Sequence, residues 1–315
     1  MVPALGTLPV SQATELIRAD GRPTPAFRER LRRIPSWRNA GSVVFLYAQT
    51  IAVLWAVAWA PGWWRLVVWP VGFLLMGRAH AQFASLMHEA AHRLLFANRT
   101  ANDLVGRWLL GYPSFTPTDA YRRVHMAHHR EEFGPDEPDI PLYAGYPISH
   151  ESFRRKLVRD ATGQTGWKLM KAQVRGLRSP DTRTRRTTWK ILGVQAVLIA
   201  AATAVGSWWL YPLFWLLPYL TVWRVINRLR SIAEHGGMQR SKDRRETTHS
   251  VRQHALARFF LVPYRIGWHL AHHVDSGIPF RNLPTYHRAL RRAGYVDDTV
   301  EYASYPTLWR ALRAG

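Results

Sequence analysis

HEAAH, at residues 88–92, is the first of three short histidine clusters in this chain; HMAHH follows at 125–129 and HLAHH at 269–273. On an α-helix, positions i, i+3 and i+4 share one face, with Cβ atoms about 5–6 Å apart. Each cluster therefore points two or three imidazoles in one direction. Together the clusters hold eight of the chain's 14 histidines, and this concentration decides how the rest of the sequence is interpreted.

The composition limits the kind of site that these histidines can form. The chain of 315 residues has no cysteine, which excludes disulfides, thiolate zinc sites and iron–sulfur clusters. Any metal is held by nitrogen and oxygen ligands. Grouped imidazoles favour Fe, Zn, Cu or Ni over Mg or Ca, and eight ring nitrogens are too many for one ion. The sequence therefore predicts two metals.

The charge indicates an anionic partner. Lys and Arg number 43 against 21 Asp and Glu, a formal net charge of +22, which suits nucleic acid or an anionic lipid surface. The 15 tryptophans cluster beside apolar runs, as they do at membrane interfaces. A cytoplasmic membrane surface attracts basic residues at about 1 kcal/mol each. We therefore expect a membrane and no nucleic-acid partner.

Four apolar runs predict the fold class: an all-α integral membrane protein, with spans at about 42–60, 63–87, 189–206 and 208–226. Each run is close to the length that crosses a bilayer. They form two hairpins with short outer loops, so every long basic segment lies on one side, which the positive-inside rule makes the cytoplasm. The three clusters fall on that side, in a helical cap.

The same pattern divides the chain into three parts. Residues 1–40 read as a basic cytoplasmic arm, 41–290 as the membrane domain and 291–315 as a basic C-terminal tail. The arm lacks the apolar core of a signal peptide, so insertion would rely on the internal runs. If the second run stays helical to His92, it is about 45 Å long and carries His88 and His92 beyond the lipid.

Other residues near the clusters are candidates for supporting roles. His235 follows the fourth apolar run at the depth of His88, so it is a ninth candidate ligand. Metal-bound imidazoles usually donate their other N–H to a carboxylate or carbonyl, and the acids near the clusters are Glu89, Asp139, Glu234 and Asp275. The histidines without cluster partners are predicted to be non-ligands: His80, His150, His249, His254 and His287. His80 still draws attention, because an ionisable group inside a span is a functional suspect.

HEAAH also fits the HExxH pattern of zinc proteases, in which Glu89 would act as a base. That interpretation leaves the other two clusters without a role, so it ranks below a site with two metals.

The three clusters together resemble the histidine boxes of the membrane fatty acid desaturase and hydroxylase superfamily. The resemblance covers HxxxH at His88 and His92, followed by two HxxHH boxes, and extends over roughly residues 40–290. The order of the boxes and their placement after apolar hairpins also match. Residues 129–141, with Gly134, Asp136 and Asp139, and residues 272–284 are similar to the segments that follow the second and third boxes.

The resemblance implies a non-haem di-iron centre at the cytosolic ends of four membrane helices. The implied ligands are His88, His92, His125, His128, His129, His235, His269, His272 and His273. Some acyl-CoA desaturases have Asn four residues before the histidine that matches His235; this chain has Ser231 there. With no fused cytochrome b5 or rubredoxin region, electrons are expected from a separate carrier, such as a ferredoxin or rubredoxin with its reductase.

The leading functional prediction is therefore O2-dependent desaturation of a fatty acyl chain, presented as a lipid, an acyl-CoA or an acyl carrier. A hydroxylase or ketolase acting on an alkane, terpenoid or carotenoid is the alternative on the same scaffold. A membrane metal-binding protein without enzymatic activity is the third. The sequence leaves the substrate, the position of attack, the electron donor and the oligomeric state open.

Overall fold

The computed structural model describes residues 8–313, and helices make up most of that part of the chain. The two strands within it, β1 (Ser250–Val251) and β2 (Glu301–Tyr302), are two residues long and pair in parallel. The prediction of a helical protein is confirmed.

The α-helices are distributed along the whole of the described chain. The first eight are α1 (Pro25–Leu31), α2 (Ser36–Trp59), α3 (Arg65–Ala91), α4 (Arg99–Leu104), α5 (Thr118–Arg130), α6 (Ile140–Tyr143), α7 (His150–Ala161) and α8 (Gln164–Arg175). The last eight are α9 (Thr182–Ala204), α10 (Leu217–Leu220), α11 (Val222–His235), α12 (Arg244–Thr247), α13 (Ala255–Phe260), α14 (His269–Val274), α15 (Leu283–Arg292) and α16 (Tyr305–Leu312). Short 3-10 turns lie at Gly62–Trp64, Gly176–Arg178 and Pro263–Arg265, and π-helical segments at Val105–Gly111 and Tyr211–Leu216.

The first two apolar runs form a hairpin of α2 and α3, as the sequence predicts. The indole N–H of Trp69 donates to the Val57 carbonyl at 3.1 Å. A Cβ added at Gly72 would lie 2.4 Å from the Val57 side chain, so this glycine allows the two helices to approach closely. The 27 residues of α3 span about 40 Å, and the helix ends next to His92.

Of the last two apolar runs, the third agrees with the prediction of a plain span and the fourth does not. The third is one helix, α9, but the run at 208–226 is divided into a π-helical segment, α10 and the first residues of α11. Pro212 and Pro218 lie in this run, and a proline inside a helix removes a backbone hydrogen bond and clashes with the preceding turn. The helix breaks at Thr221, whose φ and ψ are −119° and −84°. The chain then continues as α11, which ends at His235.

Two helical stretches are long and apolar enough to cross a membrane, judged by length and composition: Pro25–Trp59, which contains α1 and α2, and Thr182–Ala204. Only 22% and 17% of their most apolar windows are buried. Tryptophans on these stretches or next to them are exposed, among them Trp55, Trp59 and Trp189. An apolar helix with this much exposed surface differs from the core helix of a soluble protein, which is mostly buried.

The C-terminal half of α3 has the opposite environment. Most of its residues from Met76 to Ala91 are buried, because the π-helical segment Val105–Gly111, α5, α10 and α11 pack against it. A Cβ on Gly77 would lie 2.3 Å from the Val222 side chain, so α3 and α11 are in direct contact there. This packing brings the ends of both helices into the same region.

Both ends of the described chain pack on this helical body. Arg28 of α1 forms an ion pair with Asp275, directly after α14. At the other end, the Trp309 indole N–H donates to the Leu229 carbonyl at 3.0 Å. Residues 1–7 of the predicted arm and 314–315 of the predicted tail lie outside the described residues.

Candidate metal centre

Four helices deliver the nine candidate histidines to one place. The first cluster lies at the C-terminal end of α3, the second in the last two turns of α5, the third opens α14, and His235 is the last residue of α11. Neighbouring rings are in contact, as in the pair His129 and His273, whose ring centroids are 4.3 Å apart. Side chains separated by up to 185 positions in the sequence therefore share one buried region.

Five of the histidines form a first group. Each of the five has a ring nitrogen within 4.8 Å of a ring nitrogen of every other member. The members are His88, His92, His125, His129 and His272. The Nε2 atom of His129 is 3.1 Å from that of His125 and 3.0 Å from that of His272. The first group therefore combines α3, α5 and α14.

The other four histidines form a second group. His128, His235 and His273 bring ring nitrogens within 4.8 Å of one another. His269 joins them, because its Nε2 atom lies 3.1 Å from the Nε2 of His235. The second group combines α5, α11 and α14.

Helix geometry explains how one HxxHH cluster serves both groups. In α5, His125 and His129 are one turn apart and belong to the first group, whereas His128 belongs to the second. In α14 the assignment is reversed: His272 lies in the first group, and His273 in the second. Successive side chains on an α-helix are rotated by about 100°, so adjacent histidines point to different places.

The donor set fits metal ions. Both ring nitrogens of His88, and the Nε2 atoms of His92 and His273, are buried without a hydrogen-bond partner among the described residues, which is rare for buried polar atoms. Two imidazole nitrogens bound at right angles to one ion at about 2.1 Å lie about 3 Å apart, close to the Nε2 separations of 3.0 and 3.1 Å. Burial also lowers the pKa of His125 and His272, which favours the neutral form that binds metals.

The predicted acids have different surroundings. The Glu234 carboxylate lies 3.5 Å from Nδ1 of His269 and also pairs with Arg230 at 2.6 Å. Asp139 lines the space beside His128, where burial raises the pKa of its carboxyl. Both remain candidates for the role that the sequence predicts.

Glu89 and Asp275 have other partners, which corrects the prediction for them. The Glu89 carboxylate accepts a hydrogen bond from the Phe280 backbone N–H at 2.9 Å, because its side chain is rotated away from His88 on α3. Asp275 follows the end of α14 in extended backbone, and its carboxylate binds Arg28 and the Gly277 N–H.

Two glutamates and one carbonyl that were not predicted from the sequence hold the outward ring nitrogens. Nδ1 of His273 is hydrogen-bonded to the carboxylate of Glu132, and Nδ1 of His128 to that of Glu137. Nδ1 of His235 donates to the Thr247 carbonyl at 2.8 Å. Such contacts fix which ring nitrogen faces a metal. Both glutamates follow the second cluster closely, but nothing in their spacing separates them from Glu131 or Asp136.

Each of these carboxylates is itself held by further groups. Glu132 pairs with Arg244 and accepts a hydrogen bond from the Thr247 hydroxyl. Burial raises the pKa of Glu132. At His128, burial disfavours the charged imidazole, but the hydrogen bond and charge of Glu137 prevail and raise the pKa of His128.

The remaining histidines lie outside both groups. Nε2 of His80 is 3.0 Å from the Trp215 carbonyl, and the ring packs against that indole. The others contact backbone or acid groups elsewhere or lie at the surface: His150, His249, His254 and His287. The Ser231 hydroxyl donates to the Asn227 carbonyl at 2.8 Å, a contact within its own helix.

A cavity of about 220 Å³ adjoins both groups. We call it the inner cavity. Its walls include His88 and His125 of the first group and His128, His235 and His269 of the second. The other walls come from α3, α6, α10 and α11. A molecule in this cavity would contact the imidazoles of both groups at once.

Comparison with known proteins identifies related sequences. The family model described as "Fatty acid desaturase" matches residues 64–305. The chain is 27% identical over 248 residues to the dihydrorhizobitoxine desaturase of Bradyrhizobium elkanii, a match that covers 69% of this chain and 65% of that protein. It is 29% identical over 119 residues to a probable fatty acid desaturase of Sorghum bicolor, covering 38% of this chain and 29% of that protein. The match thus spans less than two thirds of either relative.

Proposed function

The chain belongs to the fatty acid desaturase family, and from this premise we propose that it is a membrane-bound, non-haem di-iron oxidoreductase that uses O2 to introduce a carbon–carbon double bond. The observation that carries the proposal is the convergence of nine buried imidazoles into groups of five and four. Nitrogen ligands in these numbers suit iron, and each group has enough donors for one ion.

The proposed reaction balances with the substrate, O2, two electrons and two protons. Two hydrogens leave the substrate, and with two electrons from an external carrier and two protons they reduce O2 to two waters. When bound, the irons would supply the oxidising power for breaking the C–H bonds. The chain holds and orients the rings: Glu132, Glu137 and the Thr247 carbonyl fix the outward nitrogens. The inner cavity holds the substrate beside both groups.

The proposed reaction class does not by itself identify the substrate. A fatty acyl chain follows from the resemblance of the three histidine boxes. The relatives show that desaturases similar to this chain carry the names of different substrates, dihydrorhizobitoxine in one and a fatty acid in the other. Hydroxylation on the same scaffold differs in that oxygen is transferred in place of removal of the second hydrogen, and formation of a keto group needs a second oxidation at the same carbon.

We further propose that residues 41–290 form a membrane-bound unit with four spans and the centre on the cytoplasmic side. The exposed apolar surfaces of α2 and α9 support lipid contact. α3 and the divided fourth run pack between them and would complete two hairpins. The basic arm and tail would lie on the cytoplasmic face, where anionic lipid attracts arginine. This accounts for the charge without a nucleic-acid partner.

A basic bowl of about 870 Å³ supports a separate electron carrier. Its floor contains His129 of the first group and His273 of the second. Its wall carries six arginines: Arg18, Arg22, Arg28, Arg32, Arg33 and Arg244. A positive surface attracts a negative partner and speeds its encounter. We propose that an acidic carrier such as a ferredoxin or rubredoxin docks over this bowl and delivers electrons through its floor.

The test uses the full chain purified in lipid nanodiscs and loaded with ferrous iron. We expect about two irons per chain and O2 uptake that depends on a reduced ferredoxin. Lipid and polar extracts of an expressing host should contain a product two hydrogens lighter than its precursor.

H128A should abolish turnover while the protein stays folded. H150Q, at an exposed position, should leave both turnover and folding unchanged. Activity that survives complete removal of iron would rule out the proposal. Tight metal binding with neither O2 uptake nor product would favour the metal-binding protein instead.

A further inference from the structure

The inner cavity is small. Its volume of about 220 Å³ is below the range of about 300–1,000 Å³ that is usual for pockets of drug-sized ligands. Tyr219 and Trp223, which belong to its lining, are buried, at 6% and 8% exposed. Behind Tyr219 the space is filled, because its ring lies 4.5 Å from that of Phe115 and 5.2 Å from that of His80. A long acyl chain would have to displace this packing.

One wall of the inner cavity is polar along its whole length. It is a single face of α11, on which side chains three or four positions apart line up. The lining residues on this face are Arg224, Asn227, Ser231 and Glu234. They extend over about three helical turns, or about 16 Å, up to His235. Ser231 and Glu234 have partners within the protein, so a hydrocarbon chain placed here would cost free energy chiefly at the polar groups that do not.

Arg224 on this wall is only partly satisfied in its hydrogen bonds. Its Nε donates to the Tyr219 carbonyl at 3.2 Å, and the guanidinium lies 4.1 Å from the centre of the Tyr219 ring. These contacts hold the side chain in place. Its Nη2 is buried and has no hydrogen-bond acceptor among the described residues. By contrast, Arg230 on the same helix is neutralised by Glu234 at 2.6 Å.

Arg224 lines the inner cavity, and a positively charged guanidinium in such a wall suits a carboxylate. Charge-assisted hydrogen bonds between these two groups are stronger than neutral hydrogen bonds. A substrate anchored at Arg224 would extend along the polar face of α11 towards the two histidine groups. The length of such a substrate is limited by the distance from Arg224 to the two histidine groups.

We propose that the substrate of this site is a compact, polar molecule with a carboxylate that Arg224 binds, rather than a long acyl chain. The inference rests on the proposed function, because the inner cavity is the space in which that reaction would occur. Asn227 and Ser231 would contact the middle of the substrate, and the C–H bonds to be broken would lie at its end near His235 and His269.

The test measures ligand binding to the iron-loaded full chain in nanodiscs by equilibrium dialysis with radiolabelled hexanoate, norleucine and palmitate. The first two are short carboxylates, and the third is a common acyl chain. We expect saturable binding of at least one short carboxylate, weakened at least tenfold in R224Q and to an intermediate degree in R224K. The control R258Q removes an exposed arginine and should bind as the wild type does.

Iron content and elution volume of R224Q should match those of the wild type, so that weaker binding is not a folding defect. Saturable binding of palmitate alone, unchanged in R224Q, would overturn the inference in favour of an acyl chain. Absence of saturable binding by both short carboxylates would overturn it as well.

Binding needs no turnover, so the two proposals can fail separately. A protein that binds a short carboxylate through Arg224 but neither holds iron nor consumes O2 contradicts the proposed function alone. A protein that holds iron and oxidises only palmitate contradicts the substrate class alone.

Discussion

Glu132 and His273 are 141 positions apart in the chain, and the glutamate carboxylate is hydrogen-bonded to Nδ1 of the imidazole. Both side chains are fully buried. Glu132 also pairs with Arg244 and accepts a hydrogen bond from the Thr247 hydroxyl. One carboxylate thus joins the loop after α5 to α12 and α14 and sets the orientation of a ring in the second group.

Replacing Glu132 should weaken metal binding although the residue is not expected to bind metal itself. Loss of the group that orients a metal-bound histidine typically costs 10–100-fold in metal affinity or activity. We therefore expect E132A to lower iron affinity by about 10–100-fold, measured by competition with a chelator. Glu131 provides a matched control, because its carboxylate binds Arg240 at the surface. Equal iron affinity in E132A and E131A would contradict the assigned role of Glu132.

Removing one histidine from each group should lower the iron content in a defined way. His272 belongs to the first group and His269 to the second, although both lie in α14. We expect H272A and H269A each to bind about one iron fewer than the wild type, and the double variant to lose both. Metal analysis of the purified proteins measures this, with H150Q as the control. Loss of both irons in H272A alone would mean that the groups do not bind independently.

The histidines could be predicted from the sequence because a helix converts their spacing directly into a shared direction. The acids could not, because their positions depend on the loop after α5. Phe133 has a φ of 58°, a conformation uncommon for residues other than glycine, and its N–H donates to the Glu137 carboxylate. This turn brings Glu137 back to His128. Adjacency in the sequence favoured Glu89, but the neighbour of a helical histidine points about 100° away from it.

The fourth apolar run shows a second limit of the sequence. Its hydropathy predicts one span, whereas the structure breaks the helix at Thr221. A hydropathy average describes how apolar a run is, and it contains no information on backbone hydrogen bonds. It therefore does not show that Pro212 and Pro218 interrupt the helix. The break matters for the site, because α11 begins there and carries both Arg224 and His235.

Reversing charge in the basic bowl should impair electron delivery without affecting the chemistry at the centre. Arg22 and Arg32 are exposed on its wall, and electrostatic steering depends on such groups and weakens with salt. We expect R22E/R32E to raise the KM for a reduced ferredoxin several-fold and to lose most of the salt dependence. Turnover driven by dithionite should stay unchanged, and R258E should resemble the wild type. An unaltered KM for the ferredoxin would place its docking site elsewhere.

The stability of the C-terminal region should depend on the charge of Glu301, which belongs to neither histidine group. Its carboxylate accepts hydrogen bonds from the Ser250 hydroxyl at 3.0 Å and from Arg291, and lies 3.0 Å from Nε2 of His287. Burial disfavours the ionised form, but the contacts with His287, Ser250 and Arg291 prevail and lower the pKa of Glu301 below its usual 4.5. The ionised carboxylate of Glu301 therefore stabilises the folded state at pH values above 4.5.

This stabilisation should disappear as the pH falls through the lowered pKa of Glu301, because the folded protein must then bury a protonated acid beside cationic donors. At pH 7 we expect E301Q to lower the free energy of unfolding by about 1–3 kcal/mol. The difference from the wild type should shrink below about pH 4.5. Thermal unfolding of the iron-free proteins in detergent measures it across pH, with E151Q, at an exposed glutamate, as the control. A difference that stays constant from pH 7 to pH 3 would show that the charge of Glu301 does not stabilise the fold.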